Sequence, residues 1–141
     1  MPEKTALKGR CMCGAVRFSA SADKPEVTAC HCEMCRRWSS GPYLAVRCSG
    51  VAFEGEDAVS RIRSSDWAER GFCARCGSNL FYQLVGSDEF FVSAGLIEDQ
   101  SIFRMSLQVF TDSRPPYYEF AGETKMMTGE EVFAAFAPAA D

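Results

Sequence analysis

With 141 residues, 47% of them hydrophobic and 24% charged, the chain has the length and balance of one ordinary globular domain. Its formal charge of −4 argues against a general nucleic-acid binder, which needs a basic face. No run approaches the ~18 apolar residues of a membrane-spanning helix, so no membrane association is expected.

The segment Met1–Arg10 lacks the apolar stretch of a secretory signal, which points to the cytoplasm. There thiols stay reduced, and clustered cysteines generally bind metal. No repeat or linker divides the sequence, so one domain over 1–141 is expected.

Taken in chain order, the elements read as short strands. Ala15–Ser19 alternates apolar and polar residues behind a glycine, as a half-buried strand does. Tyr43–Cys48 follows, and Ser49-Gly50 reads as a turn into a hairpin partner, Val51–Glu54. Further strands are expected at Ala58–Ser64, Trp67–Phe72, Asn79–Leu84, Glu89–Ala94 and Ser106–Phe110. Their spacing of roughly 8–12 residues favours a mainly β fold over alternating strand–helix units.

Phe72, Phe81, Phe90, Phe91, Phe103 and Phe110 are assigned to the core, where aromatic rings bury the most area. A C-terminal helix is expected after Thr128, with Glu131 completing a capping box. Val132, Phe133 and Phe136 form its apolar face, and Pro138 stops it.

Eight cysteines are the unusual feature. They fall into Cys11-Met12-Cys13-Gly14, Cys30-His31-Cys32-Glu33-Met34-Cys35, Cys73-Ala74-Arg75-Cys76-Gly77 and a lone Cys48. Such short spacings suit metal binding better than structural disulfides in a reducing cell. A two-thiol turn sends both sulfurs to one side. Gly14 and Gly77 are what a backbone needing positive φ would use there, letting N–H groups reach sulfur.

Seven clustered thiols do not make two sets of four; they divide into four and three. Four thiolates close a structural zinc site, whereas three leave an open position. We assign Cys11, Cys13, Cys73 and Cys76 to the closed site and Cys30, Cys32 and Cys35 to the open one. Spacing alone leaves other partitions open, such as Cys32 and Cys35 with Cys73 and Cys76.

His31, the only histidine, has three open roles: a fourth ligand, a nearby proton carrier, or a structural residue. On extended backbone it faces away from a metal held by Cys30 and Cys32. Cys48 lies in a strand pattern and reads as a small buried apolar residue rather than a reactive thiol.

At these motifs the sequence resembles the glutathione-dependent formaldehyde-activating enzyme family, whose domain is shared with centromere protein V. The matching segments are Gly9–Val16, Cys30–Arg36 and Phe72–Leu80, within a resemblance covering about 9–120. The resemblance implies a β-tent fold with a zinc-knuckle core. It also implies structural zinc at Cys11, Cys13, Cys73 and Cys76, and a labile catalytic-type zinc at Cys30, Cys32 and Cys35. The chain departs from the family pattern at Leu96–Gln100 and at Pro115-Pro116-Tyr117-Tyr118.

The activity implied is zinc-dependent formation or cleavage of a carbon–sulfur bond in a glutathione, or other small-thiol, adduct of formaldehyde or a similar carbonyl. Arg36 and Arg37 are the candidate grips for the thiol peptide's carboxylates. A different class stays open beside it: a zinc-stabilised module that binds a protein partner without catalysis. Two zinc ions per chain are expected in either case.

Overall fold

The structure, a computed structural model, describes residues 4–136. They fall into two compact units, residues 4–27 with 45–104, and residues 28–44 with 105–136. Among the described residues the fold is mainly β, with ten strands and a C-terminal helix.

In the first unit the strands are β1 (Thr5–Arg10), β2 (Arg17–Ala22), most of β4 (Tyr43–Glu54), β5 (Val59–Arg63), β6 (Ala68–Cys73), β7 (Asn79–Leu84) and β8 (Phe90–Ser93). They run β1-β2-β4-β8-β7-β6-β5 with every pairing antiparallel. Alternation explains the sheet: in β2, Phe18, Ala20 and Ala22 are buried while Arg17 and Ser19 face solvent. Leu7, Val16, Phe18, Val46, Leu80, Phe81, Val92 and Ile97 form the core, and Cys11 and Cys73 pack within it. Of the six phenylalanines assigned to a core, only Phe81 and Phe90 are fully buried. Phe72, Phe91, Phe103 and Phe110 are half-buried.

One sequence expectation is overturned. There is no hairpin at Ser49-Gly50, because β4 runs unbroken from Tyr43 to Glu54. Gly50 does take φ +60°, but within a strand. Ser19 pairs with Ala52 and Ser21 with Ser49, so β4 carries one extra residue between the same two partners. That is a β-bulge, and the Asp88 carboxylate accepts the Gly50 N–H at 2.9 Å. A left-handed glycine serves a bulge as well as a turn, so its presence does not choose between them.

The second unit contains part of β3 (Glu26–Cys30), α1 (Glu33–Ser39), nearly all of β9 (Arg104–Val109), β10 (Lys125–Met127) and α2 (Gly129–Phe136). β9 lies between β3 and β10 and pairs with β10 in parallel. The capping box forms as expected. Thr128 donates its N–H to the Glu131 carboxylate at 3.0 Å, and Thr128 Oγ1 accepts the Glu131 N–H at 3.2 Å. The apolar face of α2 is thinner than expected: Phe133 is 55% exposed and meets Phe110 edge-on at 5.7 Å. Pro138 lies outside the described residues.

Candidate metal centres

In the first unit, the loop after β1 presents Cys11 and Cys13, and the β6–β7 turn presents Cys73 and Cys76. Their four sulfurs lie within 4.8 Å of one another. Cys11 and Cys13 Sγ are 3.6 Å apart, and Cys13 and Cys73 Sγ 3.9 Å. Zinc–sulfur bonds of about 2.3 Å in a tetrahedron put sulfurs about 3.8 Å apart, so the donor set fits that ion.

The knuckles take this shape because Gly14 and Gly77 adopt φ +82° and +79°, the left-handed conformation the sequence called for. Each glycine N–H closes its turn, Gly14 onto the Cys11 carbonyl at 3.2 Å and Gly77 onto the Cys73 carbonyl at 2.8 Å. The Val16 N–H reaches Cys11 Sγ at 3.4 Å.

Ser78 ties the two knuckles together. Its Oγ accepts the Met12 N–H at 3.0 Å and lies 3.2 Å from Cys76 Sγ. The Ser78 hydroxyl and then its N–H pull the Cys76 thiol down to about 5, so this sulfur is readily a thiolate. Such outer contacts orient a ligand and hold its charge. Ser78→Ala is therefore expected to weaken metal binding at this cage by about tenfold, read by competition with a chromogenic chelator. Unchanged affinity would remove Ser78 from the site.

In the second unit, Cys30 ends β3, Cys32 caps α1 and Cys35 lies in its first turn. These three sulfurs also lie within 4.8 Å of one another, and among the described residues no fourth cysteine, histidine or carboxylate joins them. Cys32 Sγ accepts the Cys35 N–H at 3.4 Å. Hydrogen bonding among the thiols, from Cys32 and then Cys35, drives Cys30 strongly upward. A divalent cation reverses that, because a coordinating thiol is deprotonated outright. The residues therefore suit a soft divalent metal.

Helical spacing sorts the residues after the cap. Cys35, Arg36 and Ser39 continue the stripe that starts at Cys32. Arg37 lies off that stripe, bonded through Nε to Glu33 Oε1 at 3.0 Å on the exposed side. Arg36 is half-buried. Ser39 Oγ is buried with no hydrogen-bond partner among the described residues.

His31 is fully buried, and both its ring nitrogens are engaged outside the sulfur cluster, with Gln108 and Tyr118. Sequence reasoning missed both partners, which lie 77 and 87 residues away with no local motif to mark them. Cys48 is buried, and burial pushes its thiol up to about 12, which makes it inert at neutral pH. None of the eight cysteines is in a disulfide.

The family model described as glutathione-dependent formaldehyde-activating enzyme matches residues 6–113. The chain belongs to this family. A Schizosaccharomyces pombe protein described as an uncharacterized lyase is 36% identical over 134 residues, covering 94% of this chain and 96% of its own length. A crystal structure of a Rhodobacter sphaeroides protein shares the fold at 23% identity, with a TM-score of 0.56 over 64% of this chain and 87% of that one. Membership of the formaldehyde-activating family and a relative described as a lyase support an enzymatic role related to glutathione. Among the described residues no helix is long and apolar enough to cross a membrane.

Proposed function

We propose that this chain is a zinc enzyme that forms or breaks the carbon–sulfur bond between glutathione and formaldehyde or a similar small carbonyl compound. The observation that carries the reading is the inequality of the two sulfur clusters: four donors in one, three in the other. Four thiolates complete a tetrahedron, and three leave one corner for a ligand. Zinc held by Cys30, Cys32 and Cys35 supplies a Lewis-acidic position that favours the thiolate form of an incoming thiol.

The chain's own residues do the rest. Arg36 offers a planar fork for a glutathione carboxylate, on the helical stripe shared with Cys35. Arg37 is drawn into its pair with Glu33 and contributes less. Ser39 brings an unused buried hydroxyl on the same stripe. In the first unit Cys11, Cys13, Cys73 and Cys76 hold a purely structural zinc.

The reading is tested by zinc analysis of the purified protein together with formaldehyde consumption with and without glutathione. About two zinc ions per chain and consumption that requires glutathione are expected. One zinc per chain, or consumption indifferent to glutathione, would overturn it.

A further inference from the structure

Three sulfurs without a fourth donor are an incomplete set for zinc, but a full one for an element that forms three bonds. Cys30, Cys32 and Cys35 bring their sulfurs within 4.8 Å of one another, and among the described residues no further thiol, imidazole or carboxylate joins them. His31, the nitrogen donor nearest in sequence, has both ring nitrogens engaged by Gln108 and Tyr118. Cys32 caps α1 and Cys35 lies in its first turn, where Cys32 Sγ accepts the Cys35 N–H at 3.4 Å. One segment of six residues therefore supplies the whole set.

Trivalent arsenic is an element of that kind. It is soft and so prefers thiolate sulfur, and its lone pair takes up the fourth direction, leaving three bonds in a pyramid. Charge favours it as well. Three thiolates around Zn2+ leave −1, whereas three around As(III) leave zero. Cys35 is only 4% exposed, and Cys30 and Cys32 are half-buried. In such surroundings a neutral group is far cheaper to bury than a charged one.

The four-sulfur cage presents the opposite case. Arsenic bound there uses three of Cys11, Cys13, Cys73 and Cys76 and orphans the last, while zinc uses all four.

We propose that Cys30, Cys32 and Cys35 form a binding site for trivalent arsenic, taken up as arsenous acid and selected over the four-sulfur cage. The site requires only the three thiols and does not depend on the reaction proposed above. In the step, three As–O and three S–H bonds break, three As–S and three O–H bonds form, and three water molecules leave. Arsenic stays at +3, so neither oxidant nor reductant takes part. Where Zn2+ occupies the triplet, three protons from solvent replace the thiol protons and Zn2+ is released. Once the first As–S bond exists, the other two close within one site, at high effective concentration.

The test treats the zinc-loaded protein with sodium arsenite and removes the excess by desalting. Arsenic and zinc are then counted per chain, and X-ray absorption at the arsenic edge identifies the neighbouring atoms. About one arsenic per chain is expected, with three sulfur neighbours and no oxygen, while the zinc of the cage is retained. Cys32→Ser is expected to weaken arsenite binding by at least about a hundredfold, because one intramolecular bond is forfeited. No arsenic retained, or oxygen among its neighbours, would overturn the site, and this measurement on the wild-type protein needs no variant. Loss of all zinc on arsenite uptake would make the cage the target and overturn the selectivity. Undiminished binding by a folded Cys32→Ser variant would likewise overturn the assignment.

Discussion

Cys73→Ser is expected to lower the melting temperature by more than about 10 °C and to remove one zinc per chain. Cys73 ends β6 fully buried, lies within the core cluster and contributes a sulfur to the four-donor cage. Apparent zinc binding in small thiolate sites runs to about 10–16 kcal/mol, while a whole domain is stable by only about 5–15 kcal/mol. The strands of the first unit have an apolar core of their own, so the loss falls short of the full zinc figure. A thermal melt with parallel zinc analysis reads both quantities. A melting temperature within a few degrees of wild type would show that the cage does not brace this unit.

Cys32→Ser is expected to do the opposite: abolish activity and leave the fold. One zinc of about two should be lost, with turnover falling at least a hundredfold and the melting temperature moving by only a few degrees. The small thermal effect follows from where Cys32 sits. It caps α1 by accepting the Cys35 N–H, and serine is itself a favoured cap, so the helix start survives the substitution. What serine does not replace is the thiolate. If turnover persists with one zinc gone, the three-sulfur cluster is not where the chemistry occurs.

The strands that proved readable were those whose signal is local. Asn79–Leu84 matches β7 residue for residue, and the burial phase of β2 was correct even though the strand starts at Arg17. It starts late because Cys11 and Val16 close the intervening loop with a backbone hydrogen bond of 3.0 Å, a constraint imposed by the knuckle. β1 escaped notice because it holds one fully buried side chain, Leu7, beside a glycine whose place in the sheet depends on its partner β2. β10 is three residues long and exists by pairing with β9, so no periodicity could reveal it.

The cysteine groups were legible because thiols are rare and their spacing is itself a geometric statement. α1 was not, since seven residues offer fewer than two turns of pattern. The partners of His31 were invisible for a different reason. A glutamine in β9 and a tyrosine after two prolines carry no marker of a joint role, and only the folded unit brings them to one imidazole.

The two sulfur clusters also differ in when they come into being. Cys30, Cys32 and Cys35 lie within six residues, whereas the other cage is incomplete until Cys76 has been joined to the chain. At about 5–20 residues per second, the ribosome completes the local triplet roughly 2–8 s before the last thiol of the cage exists. During that interval the Cys11–Cys13 knuckle has no β6–β7 turn to close against. All three thiols of the local triplet are thus in the chain before the cage has its fourth, although β3, which carries Cys30, gains its neighbour β9 only later. A metal ion can be held by four donors of the cage only after synthesis has passed Cys76.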